Sequence, residues 1–251
     1  MYPEAISDSL WELLRRLNRI PDMKFSYLGG GTALALQLAH RRSDDLDRPA
    51  PRKPRPVGRG QGEPYKMVYL PYREAPPGRA GRLHFFVTEE FDDLSFRKKI
   101  QQEGLNTLVI NQSPNHMELM IQFIKVDLIR EWISLKFPLK SIHPLTENLR
   151  MADPRDIGRM KIVLIGSRGS KKDFVDIYCL TREIITLESL IMTAMEEDRG
   201  IKYSKLVFLK GLVDFEEAER EGDLDMIWDM GWEEVKRSLI EEVKEIAKKI
   251  Q

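Results

Sequence analysis

Two aspartates, Asp45 and Asp47, stand two residues apart at the end of the stretch Leu28 to Asp47, LGGGTALALQLAHRRSDDLD. On an extended strand that spacing puts both carboxylates on one face. Two hard oxygen donors side by side suit Mg2+, or Mn2+, which takes a couple of carboxylates and completes its octahedron with phosphate oxygens and water. Upstream, a short apolar run (Phe25, Tyr27, Leu28) leads into Gly29, Gly30, Gly31 and Thr32. Glycine lets the backbone come close to an anion, because no Cβ is in the way and positive φ costs nothing. A helix over 33–40 would point its unpaired N–H groups and positive dipole end at that anion. A cation site beside an anion cradle is what a nucleoside triphosphate needs, with Gly30, Gly31 and Thr32 at the phosphates.

The surrounding spacing supplies elements to hold this stretch. Ile6, Leu10, Leu13, Leu14, Leu17 and Ile20 recur at helical intervals, with Ser7 or Asp8 placed to cap and Pro21 to stop the helix. Residues 24–28 read as a first strand. Segment 48–84 then changes character: it holds eight of the fourteen prolines, five glycines, and nine Lys/Arg against two Glu. Such a composition does not build a packed core. The apolar pattern resumes at Phe85-Phe86-Val87. A helix follows over 91–103, closed by Gly104, then a strand from Thr107, a Ser113-Pro114-Asn115 turn, and one bent strand or two over 117–129. Residues 137–150, with Pro138 and Pro144, read as irregular. Asp153 and Pro154 mark a helix start, and further helical patterns cover 172–181, 186–198, 203–213 and 232–250. The expectation is an α+β protein, a mixed β-sheet flanked by helices over 1–135 with a mostly helical half over 136–251.

Composition narrows the classes. Lys+Arg and Asp+Glu both number 40, and Cys179 is the single cysteine, which excludes a disulfide framework and Cys-ligated zinc. It sits on an apolar helix face and reads as core. His40, His84, His116 and His143 lack the HExxH spacing of a zinc site. No apolar run is long enough to span a bilayer, and no leader-like pattern opens the chain, so a cytoplasmic protein without a membrane partner is expected. VLIGSRGSKK does not meet the GxxxxGK[ST] spacing of a Walker loop. A second Asp-Leu-Asp, Asp223 to Asp225, has no glycine turn before it and lies among Glu216, Glu217, Glu219 and Glu221, which reads as a solvated helix end.

Gly31-Thr32, twelve intervening residues and Asp45-Leu46-Asp47 resemble the glycine-serine and acidic-pair signature of the polymerase-β-type nucleotidyltransferases. The fuller GGTALALQLAHRRSDDLD resembles the version carried by the AbiEii/AbiGii toxin family. The likeness covers roughly 24–180 with the insert left out, and implies a nucleotidyltransferase-like sheet. In that family an apolar, often Phe-Phe, run follows the acidic pair directly, so 48–84 would interrupt one strand and Asp47 and Phe85 would be neighbours. The HRxS phrase implies a role for Arg41, Arg42 and Ser43 in holding the turn or the nucleotide. Asp127, in IKVDLI, would be a third metal-binding acid, where the residues alone read as a solvent-facing carboxylate. RMKIVLIGSRGSKKDFVDIY resembles the later family motifs: Lys161, Arg168 and Lys172 would face a triphosphate, and Asp173 or Asp176 would orient a lysine or act on the acceptor nucleophile.

The resemblance implies a Mg2+-dependent transfer of a nucleoside monophosphate from an NTP to an acceptor hydroxyl. One ion would rest on Asp45, Asp47 and Asp127, and a second on Asp45 and Asp47. It also implies the toxin of a toxin–antitoxin or phage-defence pair with a cognate antitoxin, and a tRNA acceptor as in related members. Two other readings stay open: a catalytically silent nucleotide- or partner-binding module, and a nucleotidyltransferase acting on a small molecule such as an antibiotic.

Overall fold

A computed structural model describes residues 1–43, 81–131, 133–167, 169–196 and 201–249. The chain opens with α1 (Asp8–Leu17), whose apolar stripe Leu10, Leu13, Leu14 and Leu17 is buried and whose N-cap is Ser7. A 3-10 turn, Pro21–Phe25, precedes β1 (Ser26–Gly29), so the first strand starts two residues later than the sequence pattern predicts. The second helix, α2 (Gly30–Leu38), begins on the glycines themselves instead of at Ala33, and Ala39 ends it in the left-handed region with φ 50°.

Then come β2 (Arg82–Val87), α3 (Asp93–Gln102), β3 (Thr107–Ser113), β4 (His116–Ile121) and β5 (Ile124–Arg130). Asp92 caps α3 by accepting from the Leu94 and Ser95 amides, and Gly104, with φ 67°, closes it as expected. The long alternating segment is two strands, folded at Gln122 and Phe123, both with positive φ. Residues 137–150 correct the sequence reading. They are not irregular but carry a hairpin, β6 (Lys140–Ile142) and β7 (Leu145–Met151), because Pro144 falls in the connection and removes no ladder donor.

The seven strands form one mixed sheet in the order β3-β4-β5-β2-β1-β7-β6. Pairs β2–β5 and β1–β7 are parallel and the other four antiparallel. The sheet therefore runs to Met151. Leu83, Phe85, Val126 and Leu128 join Leu10, Leu14, Phe96 and Ile100 in the main apolar cluster. Period two then puts Arg82 and His84 on the same face as Asp127, which pairs with His84 across the strands.

The C-terminal half is helical: α4 (Pro154–Ile165), α5 (Lys171–Glu183), α6 (Leu187–Met195), α7 (Lys205–Gly211) and α8 (Trp232–Lys248). Asp153 caps α4 through the Arg155 amide, as its sequence foretells. α4 joins the two halves. Its Ile157 and Met160 pack in the sheet's cluster, while Ile162 and Ile165 pack with Phe174, Ile177, Leu190, Phe208 and Leu239 in a second cluster. Among the described residues no helix is long and apolar enough to cross a membrane.

Candidate active site

α2 starts where β1 ends, at Gly30, whose φ of 66° is a conformation that glycine adopts at little cost. The bare faces of the glycine run are filled by this chain's own side chains. A Cβ on Gly29 would strike the Phe86 ring, one on Gly30 would lie 3.4 Å from His84 Nδ1, and one on Gly31 would run into the Arg41 guanidinium. The glycines thus admit three side chains to the start of α2. Gly29, the N-cap, brings no side-chain acceptor to the first-turn amides, the groups that receive anions at a helix start.

The turn after α2 is fastened on several sides. The Ile227 and Trp228 amides donate to the His40 carbonyl at 3.0 and 3.1 Å, the Arg42 amide to the Asp225 carbonyl at 2.8 Å, and the Ser43 amide to the Ala5 carbonyl at 2.8 Å. Thr32 Oγ1 donates to the Arg82 carbonyl at 3.0 Å and so accepts from Ser43 Oγ at 2.8 Å. The second Asp-Leu-Asp is therefore not a helix end. It runs as irregular chain against the turn, where Arg41 bridges Met226, and its carboxylates are exposed.

Beneath that turn lies a buried ionic cluster. Asp176 is fully buried on α5. Its Oδ1 accepts from His40 Nε2 at 2.6 Å and Arg41 Nε at 2.7 Å; its Oδ2 accepts from Arg41 Nη2 at 3.1 Å and pairs with Lys161 Nζ at 2.7 Å. Lys161, on α4, also donates to Asp173 Oδ1 at 2.7 Å, and Ser170 Oγ donates to Asp173 Oδ2 at 2.6 Å. Burial by itself would raise both carboxyl pKa values. Arg41, Lys161 and the His40 bond outweigh it at Asp176 and hold that group well below the usual carboxylate range. Lys161 and Ser170 likewise keep Asp173 low. Burial would lower the Lys161 pKa, yet Asp173 and then Asp176 raise it. Two carboxylates thus face two permanent cations, a balance that a dry interior requires. The cluster abuts α2: the Cβ position of Gly31 is 3.5 Å from Asp176 Oδ2.

Asp127 occupies a second charged group, on the sheet. It is 3% exposed, which overturns the solvent-facing reading. Its Oδ1 meets His116 Nε2 at 2.6 Å, and its Oδ2 meets Arg82 Nε at 2.9 Å and His84 Nε2 at 3.5 Å. Arg82 also pairs with Glu118 Oε1 at 2.8 Å. Among the described residues no group of three or more His, Cys, Asp or Glu could hold a metal ion. Arg82 and His116 each take one oxygen of Asp127, and Asp45 and Asp47, the acids expected to share a metal ion with it, lie outside the described residues. The strand position before Phe85 is likewise held by His84 instead of Asp47. Arg82, Leu83 and His84 belong to the sheet and not to an excursion from it, which corrects the insert boundary.

Of the candidate residues, Gly30, Gly31, Thr32, Ser43, Lys161, Asp173 and Asp176 come together around the start of α2 and the turn that follows it. Arg42 stays at the rim, half exposed and 3.9 Å from Asp225 Oδ2. Lys172 is partly buried in the first turn of α5. Asp127 reaches the rest through His84, which lies between it and Gly30. Asp45, Asp47 and Arg168 lie outside the described residues. Cys179 is buried, and burial, then Asp176, push its thiol pKa up, as suits a core residue. Four participants escaped the sequence reading: His40, Arg82, His84 and His116. For Arg82 and His84 a signal existed, the alternation of RLHFFV. For His40 the signal was its place in the HRxS phrase, which could not name a partner 136 positions away.

Comparison with known proteins identifies the family and the fold. A family model described as the nucleotidyl transferase AbiEii toxin of type IV toxin–antitoxin systems matches residues 12–250. The uncharacterized protein aq_aa25 of Aquifex aeolicus (strain VF5) is 29% identical over 226 residues, covering 87% of this chain and 86% of that one. Among solved structures, JHP933 from Helicobacter pylori superposes with a TM-score of 0.50 at 14% identity, over 97% of this chain and 94% of that one. A second structure from H. pylori, described provisionally as a nucleotidyltransferase, gives 0.53 at 14% identity, over 96% and 93%. At that identity the structures speak for the fold alone, and the family model speaks for the activity. This chain belongs to the AbiEii family of nucleotidyltransferase toxins.

Proposed function

We propose that this protein transfers a nucleoside monophosphate from an NTP to an acceptor hydroxyl, as the toxin of a toxin–antitoxin or phage-defence pair. The acceptor oxygen bonds the α-phosphorus, the bond to the β-phosphate oxygen breaks, pyrophosphate leaves and the hydroxyl proton passes to solvent. The observation that carries this reading is the buried Lys161–Arg41–Asp173–Asp176 cluster set against the first turn of α2. The cluster is charge-balanced and anchors that turn, whose uncapped amides are suited to a polyanion. Gly30, Gly31 and Thr32 would receive the phosphates, with Arg42, Ser43, Arg168 and Lys172 around them.

Asp45 and Asp47 would hold Mg2+ or Mn2+. Such an ion, when bound, neutralises charge on the phosphates. Asp127 would join them by exchanging Arg82 and His116 for the ion. RNA, with tRNA first among the candidates, is the acceptor we favour, and a cognate antitoxin the partner, both in the cytoplasm. Residues 1–135 would form the catalytic core, and 136–251 would complete the cleft.

Incubation with each labelled NTP, total RNA, cell protein and candidate small molecules tests this. Label should enter RNA, and should require a divalent cation. Asp45→Asn or Asp47→Asn should lower transfer at least about a hundredfold, the scale for groups that stabilise transition-state charge. Label on no acceptor would return the chain to a silent binding module, and label on a small molecule alone would replace RNA as acceptor.

A further inference from the structure

The family resemblance offers Asp176 two roles, orienting a lysine or acting on the acceptor nucleophile, and assigns His40 nothing. Geometry separates those roles. An ionised carboxylate has about four lone-pair sites. Those of Asp176 meet four donors, His40 Nε2, Arg41 Nε, Arg41 Nη2 and Lys161 Nζ, all within 3.1 Å, in a place with no solvent exposure. A group so filled has no site free for an acceptor hydroxyl.

The donors are themselves held. A carboxylate only accepts, so His40 must carry its proton on Nε2. Its Nδ1 is buried and has no hydrogen-bond partner among the described residues. Two backbone amides, of Ile227 and Trp228, fix its carbonyl, and its ring stands edge-on to Trp228 at 6.2 Å between centroids. Arg41 grips both oxygens of Asp176 with a two-pronged fork, the geometry for which guanidinium is suited and lysine is not. Gly31 is the residue that leaves room for that fork.

We propose that His40 and Arg41 are positioning residues for nucleotidyl transfer: acting through Asp176, they fix the Lys161 ammonium against the first turn of α2, and Asp176 takes no proton from the acceptor. The proposal rests on the transferase reading above.

The test uses the full chain and steady-state transfer from NTP. Arg41→Gln and Asp176→Asn should behave alike, each raising KM for NTP at least about tenfold with kcat changed less than about threefold. His40→Gln keeps an N–H for Asp176 and should stay within about threefold of the parent in kcat/KM, whereas His40→Leu should lose at least about tenfold, the worth of a hydrogen bond to a charged group. An Asp176→Asn variant that loses kcat alone, beside an Arg41→Gln variant equal to the parent, would make Asp176 the proton acceptor and overturn the proposal. So would a His40→Leu variant as active as the parent. Should Arg41→Gln fail to fold, the His40 pair decides.

A separate arm needs no turnover. Acetic anhydride labelling, read by peptide mass spectrometry, should find Lys161 shielded in the parent and in His40→Gln, and reactive in His40→Leu. Equal labelling in all three rejects the clamp. If the parent transfers no label from any NTP, the proposed function falls while this arm still reports on the clamp.

Discussion

Asp176 and Asp127 are both buried carboxylates gripped by an arginine and a histidine, and they differ in where their partners stand. Around Asp176 the side chains of His40, Arg41 and Lys161 are 0%, 4% and 6% exposed. Around Asp127 those of Arg82, His84 and His116 are 27%, 28% and 37% exposed. The first group is part of the packed interior, tying the turn after α2 to α4 and α5. The second lies on one face of neighbouring strands, and its arginine and histidines are each partly exposed. The same chemical pairing therefore yields a fixed anchor in one place and an exchangeable one in the other. Removing a partner from a dry ion pair strands an uncompensated charge, whereas a wet pair is screened and loosely coupled to stability.

The comparison is most directly broken at Asp176. Asp176→Ala leaves Arg41 and Lys161 buried without their shared counter-ion and should cost about 3–5 kcal/mol in urea unfolding. A loss under about 1 kcal/mol, the ordinary worth of a surface pair, would erase the distinction. The acid limb gives the same contrast. Asp176 and Asp173 have folded pKa values depressed below the ordinary 3.8, so their stabilisation is full above that value and is lost as pH falls through the depressed one. Lys161 has a folded pKa raised above 10.5, so its share is full below that value and is lost as pH rises through the raised one. Stability measured against pH should fall at both ends, and the acid fall should be shallower in Asp176→Asn.

A smaller effect should sharpen the comparison from the sheet side. Deleting 48–84 joins Asp47 to Phe85, which puts Asp45 and Asp47 at the strand positions of Arg82 and His84, opposite Asp127. An arginine and a histidine are exchanged for two acids. Without a divalent cation the three carboxylates repel one another; with one present at a hundred times Kd, binding restores about 2.7 kcal/mol. Chelation should therefore lower Tm more in the deletion variant than in the parent, whose Asp127 has Arg82 and His116 in any case. Equal sensitivity to EDTA would mean that the strand does not rejoin in this register.

The smallest effect expected is at Asp127 itself. Asp127→Asn keeps the shape and an acceptor oxygen while its partners stay in contact with water, so unfolding should shift by about 1 kcal/mol or less. A loss as large as that of Asp176→Ala would place Asp127 among the dry anchors.

Much of this was legible in the chain alone. Ser7 before the leucine stripe of α1, Asp153-Pro154 at the start of α4 and Gly104 after α3 each mark a boundary through local chemistry, because caps and turns satisfy backbone groups only a few residues away. The glycine run, HRRS and DLD carried the family, since the spacing of such a motif is itself local. The sequence could also show that Cys179 lies on an apolar face. It could not show that β6 and β7 extend the sheet to Met151, because short strands gain their stability from neighbours and not from propensity. Nor could it show which cation meets which acid. His40 and Arg41 reach Asp176 across 136 and 135 positions, and Arg82 and His84 stand beside Asp127 because strand register, not motif spacing, put them there. Buried charges must find opposite charges nearby, but nearness across a fold is decided by packing. The residue types were therefore determined by the sequence, and their partners by the tertiary structure alone.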